Sequence, residues 1–173
     1  MVHFHIITLF PESIEPYLAS SILGRAQKAG KIKISFYNPR DYTEDRWQRV
    51  DRKPYGGGPG MVLAPEPYLK AVAKALKGKM SNLRGRSSEV VFFSPSGKQF
   101  DQKMAKHLAQ NGSRILKQGP SLLKNIVLIC GHYEGVDARV AKIVKAKKIS
   151  IGPYVLTGGE LPAAVLIDAV ARY

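Results

Sequence analysis

Acidic residues are scarce in this chain: 13 Asp and Glu stand against 27 Lys and Arg, a formal net charge of +14 over 173 residues. That imbalance favours a polyanionic partner, because phosphates attract Lys and Arg and release counterions on binding. Cysteine is rarer still. One residue, Cys130, excludes an internal disulfide and supplies no cysteine-based metal cluster. No run reaches the ~18 apolar residues of a membrane span. The start, MVHFHIITLF, lacks the basic region and small-residue cleavage site of a signal peptide, so the expected location is cytoplasmic. Two nucleotide-binding signatures are also missing. PYGGGPG (Pro54–Gly60) has no Lys-Ser/Thr after its glycines and is not a P-loop. The lack of G-x-G-x-x-G argues against a dinucleotide-binding Rossmann protein.

What is present suits one well-packed domain spanning residues 1–173, since no internal repeat or Ser/Gly linker divides the chain. Val2–Phe10, Lys31–Tyr37, Glu89–Phe93, Asn125–Cys130 and Lys148–Ile151 read as strands. Helices are expected from about Pro11 to Gly30, with Ile14, Leu18 and Ile22 on one stripe, and after Pro65 with Leu69, Val72, Ala73 and Leu76 inward. Further helices are expected at Asp101–Ala109, Gly135–Lys145 and Glu160–Tyr173. Asn38 to Gly60 reads as one long loop, a length that is usually functional or mobile. Strand and helix alternate, so the fold class is α/β with a mainly parallel sheet and helices on both faces.

Two turns stand out. Ser150–Pro162, SIGPYVLTGGELP, holds three glycines, two prolines and a single acid. Such a run shapes a backbone surface that can meet a flat ligand through N–H and C=O groups. Its plainer reading is two ordinary turns around a strand. CGHYEGVDAR, Cys130–Arg139, follows a buried apolar strand, and ligands of open α/β folds bind beyond the carboxyl ends of strands. Together the turns point to one small-molecule pocket.

The basic residues cluster. Lys70, Lys74, Lys77, Lys79, Arg84 and Arg86 fall between Leu69 and Ser88 with no acid among them. Arg139, Lys142, Lys145, Lys147 and Lys148 do the same between Ala138 and Lys148. Few aromatics interleave, so contact with a nucleic-acid backbone suits these stretches better than base stacking; a solvated basic surface is the alternative. His3 and His5 share one strand face by period two, but nothing else supplies metal spacing, and they are expected either to pack or to face solvent.

These segments, with ITLFPE (Ile7–Glu12), SILGRA (Ser21–Ala26), NPRDYT (Asn38–Thr43), RVDRKPYGGGPGM (Arg49–Met61), FFSPSG (Phe92–Gly97) and LIDAVAR (Leu166–Arg172), resemble in order the bacterial tRNA (guanine-N1)-methyltransferases of the SPOUT class. The likeness covers nearly the whole chain and corresponds to that family's N-terminal, cofactor-binding domain. It implies methyl transfer from S-adenosylmethionine to N1 of the guanosine just 3′ of the anticodon, position 37 of tRNA. It also implies a homodimer and a deep trefoil knot over roughly Val90 to Arg172. Mg2+ is the one metal ion that the resemblance leaves in play, with no ligand residues assigned.

Carried over residue by residue, the resemblance places the cofactor in three loops. The first is Ser94, Pro95, Ser96 and Gly97. The second is Gly131, Tyr133, Glu134 and Gly135. The third is Ile151, Gly152, Pro153, Tyr154, Val155 and Leu156, with Gly158 and Gly159. Amides around Ile151, Tyr154 and Leu156 would hold the adenine edge. Arg172 matches an arginine facing the target guanine, Glu134 an acid near the reactive centre, and Asp51 an aspartate in a loop that closes over substrate.

The chain also departs from the family pattern. Arg52 and Lys53 stand where a second acid is expected, Pro153 replaces an aspartate, His132 replaces an arginine, and Lys145–Lys148 replaces an acidic stretch. Asn111–Lys124 is longer than the usual link and has no assigned role. The family continues past Tyr173 with an aspartate-bearing loop and a helical tRNA-binding domain, which this sequence does not include. An alternative reading is therefore a non-catalytic or truncated module that binds S-adenosylmethionine and RNA.

Overall fold

The computed structural model describes residues 1–77, 88–110 and 124–173. The basic loop expected from Gly78, and the long link expected from Asn111, fall outside the described residues apart from Ser88 and Lys124 at their ends. Five strands form one sheet in the order β2-β1-β6-β5-β7: β1 Val2–Ile7, β2 Ile32–Tyr37, β5 Ser88–Gln99, β6 Lys124–Ile129 and β7 Lys147–Ser150. Every pairing in it is parallel. Two short strands, β3 Asp51–Arg52 and β4 Val62–Leu63, pair antiparallel apart from it.

Both faces of the sheet are covered, as continuous apolar strands require. Phe4, Ile6, Ile126, Leu128, Val91 and Ile149 face one core, which α2 (Ser21–Lys28), α4 (Gln102–Gln110) and α6 (Glu160–Ala171) cover through Leu23, Leu108, Leu166 and Ile167. Ile7, Val127, Ile129, Val90 and Phe92 face the other, under α3 (Pro65–Ala75) and α5 (Ala138–Ile143). The α/β class with helices on both faces is observed.

Local chemistry explains where the elements differ from expectation. The helix expected from Pro11 to Gly30 is broken. A 3-10 turn at Pro11–Ser13 leads into α1, Glu15–Ala19, and Ser20 is extended before α2 begins. Gly24 lets the two helices meet, since a Cβ there would lie 2.2 Å from the Ala19 carbonyl oxygen. The break resets the helical phase by one residue, so Ile22 is exposed and Leu23 buried. In α3 the buried positions are Tyr68, Ala71, Val72, Ala75 and Leu76, rotated from the expected stripe; Tyr68 takes the deepest place because its hydroxyl donates to the Cys130 carbonyl at 3.1 Å. The helix expected from Gly135 starts at Ala138, where Asp137 caps it by accepting from Arg139 N at 2.9 Å. The Asn38–Gly60 stretch is less loop-like than expected, with a 3-10 turn at Pro39–Tyr42 and the strand β3. Ser94–Gly97 does not end its strand. Phe93 and Lys98 both align with Ile149, so the four residues between them bulge out of a strand that runs on to Gln99.

Candidate functional site

The carboxyl ends of β5, β6 and β7 converge on a cleft of about 280 Å³. All three expected loops reach it. Ser94 and Pro95 come from the β5 bulge, Gly131 to Gly135 from the turn after β6, and the run from Ile151 onward from the turn after β7. Tyr154, Val155, Leu156, Gly158 and Gly159 line it, as does Pro162 at the start of α6. Ser96, Gly97 and Pro153 do not line the cleft. Ser96 Oγ lies 3.0 Å from Ser94 Oγ. Gly97 packs on the Ile149 backbone so closely that a Cβ would come within 2.5 Å of its nitrogen.

The third loop is held open by its own side chains. Ser150 Oγ donates to Gly152 O at 2.8 Å and accepts from Gly152 N at 3.2 Å. Tyr154 OH donates to Ile151 O at 3.2 Å. Among the described residues, no protein acceptor takes the amides of Tyr154 or Leu156. This main-chain edge, beside mixed apolar walls, fits an adenine-bearing ligand: unpaired backbone donors meet ring nitrogens and apolar side chains cover the ring faces.

The second and third loops are fastened together. Gly159 N donates to Gly131 O at 3.0 Å, and His132 bridges antiparallel to Gly158. Neither glycine tolerates a side chain. A Cβ at Gly159 would sit 2.6 Å from Cys130 Cα, and one at Gly158 would sit 2.4 Å from both Glu160 Oε2 and His132 Nε2.

Behind this junction lies a polar cluster that the sequence alone does not reveal. Glu160, buried at the start of α6, accepts from His132 Nε2 at 2.7 Å and from Thr8 Oγ1 at 2.5 Å. Thr8 Oγ1 in turn accepts from Phe10 N at 3.0 Å. The Phe10 ring meets the His132 ring edge-on at 4.7 Å, and the Arg40 guanidinium lies over Phe10 at 5.4 Å. Burial, reinforced by the Glu160 charge, pushes the Cys130 thiol and the Tyr68 phenol well up, so both stay protonated near neutral pH. The one hint in the sequence was that Glu160 is the sole acid of its Gly/Pro-rich segment.

Glu134 lines the cleft and is exposed. The preceding Tyr133 holds a left-handed φ of 58°, a conformation that non-glycine residues rarely adopt and that recurs at functional sites. The glycine-rich loop comes back to this point. Glu134 N donates to Met61 O at 3.1 Å, Leu63 N to Gly135 O at 2.9 Å, and Asp137 N to Leu63 O at 3.0 Å. Asp51 pairs with Leu63 across β3 and β4, which ties it to this rim without lining the cleft. Arg139 forks onto Asp137 and lies 5.7 Å from the Tyr55 ring, fixing the outer part of the same loop.

Arg172 is exposed at the far end of α6 and does not line the cleft. A helix rises about 1.5 Å per residue, so roughly 18 Å separate it from Glu160. Leu161 and Val165 on α6, Tyr17 and Ile22 on the neighbouring helices, and Val155 in the third loop are all exposed apolar residues. No helix among the described residues is long and apolar enough to cross a membrane.

Comparison with known proteins gives a consistent picture. Residues 2–173 match the family described as tRNA (guanine-1)-methyltransferase TrmD. A tRNA (guanine-N(1)-)-methyltransferase of Dictyoglomus turgidum is 46% identical over 172 residues, 99% of this chain and 62% of the relative. Its counterpart in Porphyromonas gingivalis is 44% identical over 167 residues, 96% of this chain and 66% of the relative. That of Clostridioides difficile is 40% identical over 171 residues, 99% of this chain and 67% of the relative. The chain thus spans less than two thirds of the length of the first two.

Proposed function

The chain belongs to the tRNA (guanine-1)-methyltransferase family, and from that premise we propose that it binds S-adenosylmethionine in the cleft and transfers its methyl group to N1 of the guanosine just 3′ of the anticodon of tRNA. The observation that carries this reading is the convergence of three loops, Ser94–Pro95, Gly131–Gly135 and Ile151–Gly159, on one cleft at the carboxyl ends of neighbouring strands.

When bound, S-adenosylmethionine supplies a methyl group activated by a positive sulfur, so the protein's work is alignment and charge control. The unpaired amides of Tyr154 and Leu156 would take the adenine edge. Glu134 sets a carboxylate at the rim of the cleft, near the place where N1 of guanine loses its proton. Asp51, tethered to that rim through β4, belongs to the loop that covers substrate. A positive charge near O6 stabilises the charge that develops there, and this is the role of Arg172.

Arg172 cannot reach the cleft of its own chain across the length of α6. We therefore place it in the cleft of a second copy, in a homodimer. The exposed apolar side chains of Tyr17, Ile22, Val155, Leu161 and Val165 support a surface that a second copy covers. The trefoil knot belongs to the same reading. Its support is the tight passage of Gly158–Gly159 against Cys130–His132, away from the sheet edge where β7 lies. A cytoplasmic location goes with a tRNA substrate. Mg2+ is left without assigned ligands: no three His, Cys, Asp or Glu come together among the described residues, and Mg2+ is commonly held by one or two carboxylates with water and substrate oxygens.

The test is methyl transfer from labelled S-adenosylmethionine to a tRNA transcript with guanosine after the anticodon, against the same tRNA with adenosine there. Transfer that depends on the guanosine is expected. Equal labelling of both transcripts would overturn the site of modification. No labelling, with the cofactor bound by calorimetry, would leave a module that binds S-adenosylmethionine and RNA.

A further inference from the structure

The far end of the sheet, away from the cleft, has a composition of its own. Strand register aligns Lys33 with His3, His3 with Asn125, and Asn125 with Ser88, a polar row across β2, β1, β6 and β5. The side chains of this row share the face covered by α3 and α5. Two rows further along the same face the residues are Tyr37, Ile7, Ile129 and Phe92, part of the apolar core. An all-parallel sheet buried on both faces normally stays apolar to its ends, so a polar row is a departure to be explained.

The row is organised. His3 Nε2 pairs with Ser35 Oγ at 2.8 Å. His5, one row in, lies between Tyr37 OH at 3.0 Å and Asn125 Oδ1 at 3.0 Å, which leaves the Asn125 amide nitrogen as a donor. The two imidazoles lie against each other with centroids 3.8 Å apart and planes tilted by 34°. α3 ends at its cap, Leu76, and Lys77 follows with a left-handed φ of 57°, exposed at the edge of the row. The charges acting on both histidines are Lys33 and Lys77, and both are positive. The nearest acid in sequence on the neighbouring strand, Glu89, aligns with Ile126 and so turns to the opposite face, where Lys147 pairs with it.

We propose that this row, with Lys33 and Lys77 as its cations and Asn125 and Ser88 as neutral donors, is a docking site for phosphates of the tRNA backbone. It lies about 20 Å from the cleft, the length of a six-residue strand. This inference rests on the reading of tRNA as the substrate. Two ammonium groups with no ion-pair partner among the described residues, beside two neutral donors, suit an anion and repel a metal cation. A chain of net charge +14 makes a polyanion the fitting source of that anion. Phosphate contacts of this kind orient a nucleic acid without reading its sequence, so they serve at a distance from the reacting base.

The test compares the double variant Lys33→Gln/Lys77→Gln with Lys103→Gln/Lys106→Gln, which removes the same charge from α4 on the opposite face. Affinity for the tRNA transcript is measured across a salt series. The first variant is expected to lose about tenfold affinity near physiological salt, with the log–log salt slope reduced by about two, and the second to lose much less. Both should bind S-adenosylmethionine as the wild type does and turn over at the same rate once tRNA is saturating. In the wild type, titration of the His3 and His5 ring protons by NMR should move to higher pH when tRNA is added, because phosphate offsets the two ammonium charges. Equal losses in the two variants overturn the proposal, as do histidine titrations that tRNA leaves unmoved. If inorganic phosphate shifts those titrations and tRNA does not, the row is a small-anion site and the docking role fails. If polyaspartate displaces tRNA at equal charge, the partner is an acidic protein and the proposal also fails. Absence of methyl transfer by the wild type would sink the catalytic reading but leave these binding measurements to decide the row.

Discussion

His132 and Glu160 meet at 2.7 Å directly behind the junction of the second and third loops of the cleft, 28 residues apart in sequence. The carboxylate is nearly inaccessible, with 8% of its side chain exposed against 19% for His132. Its second oxygen is satisfied by Thr8, which directly follows β1. The pair therefore ties β1, the turn after β6 and the start of α6 into one unit.

Removing one partner of a buried, hydrogen-bonded pair leaves the other unpaired, which costs about 3 kcal/mol. His132→Ala is expected to lower stability by about that amount and to weaken S-adenosylmethionine binding by tenfold or more, because Gly158 loses its backing. His132→Arg, which restores the residue of the family pattern, should recover most of both. Urea unfolding and calorimetry on the two variants measure this, and equal damage from Ala and Arg would argue against the role of a hydrogen-bond donor to Glu160.

Gly159 makes a sharper case, because its neighbour is backbone. A Cβ there would lie 2.6 Å from Cys130 Cα, and main chain cannot swing aside as a long side chain can. Gly159→Ala should force the third loop away from the second. The expected outcome is a loss of about 2 kcal/mol or more in stability, with cofactor affinity falling at least tenfold. Unchanged affinity in a folded variant would show that the junction does not shape the cleft.

Much of the architecture was legible in the sequence, because it is written in short-range patterns. The apolar runs of β1 and β6 can only be buried strands, and two of the three loops that line the cleft, after β6 and after β7, are marked by their glycines, whereas Ser94–Gly97 enters only through the family resemblance. What was hidden depends on distance or on phase. Thr8 and Glu160 are 152 residues apart, and no periodicity connects them. The split between α1 and α2 turns on one extended residue, Ser20, and on Gly24 packed against Ala19, in a stretch whose spacing alone reads as continuous helix. The face of α3 was set by the Tyr68 hydroxyl finding the Cys130 carbonyl, a bond that hydropathy does not encode. Ser94–Gly97 reads in the sequence as a turn that ends its strand, and only strand register shows that β5 resumes beyond it.

Acid should unfold this protein through the histidine pair. Burial, then the charges of His5, Lys33 and Lys77, lowers the His3 pKa from 6.5 to about 4. Burial also lowers that of His5, partly offset by its bond to Asn125. The fold thus holds both rings neutral, whereas the unfolded chain takes up protons near 6.5. Since the unfolded state binds more protons between those values, stability is complete above about pH 6.5 and falls as pH drops toward 4. For His3 the slope approaches about 1.4 kcal/mol per pH unit within that window. His3→Gln, which keeps a donor for Ser35, should flatten the dependence. Urea midpoints from pH 4 to 8 measure it, and a curve identical to the wild type would remove the pair as the acid sensor.

The separation of Arg172 from the cleft of its own chain leads to a complementation experiment. Glu134 lines the cleft, whereas Arg172 lies at the other end of α6. If each active centre takes Glu134 from one copy and Arg172 from another, Arg172→Ala and Glu134→Gln are each inactive as homodimers. In a mixed dimer, however, one centre carries both defects and the other carries none. Random exchange of subunits makes half of the dimers mixed, so about a quarter of all centres should be intact. Mixing the two purified variants is therefore expected to restore about a quarter of wild-type methyl transfer, at a rate set by subunit exchange. The double variant Leu161→Asp/Val165→Asp, which places charges on the exposed apolar face of α6, should sediment as a 19.1 kDa monomer and abolish the recovery. Two inactive variants that stay inactive after proven exchange would mean that Arg172 acts within its own chain or not at all, and the shared active centre would have to be abandoned.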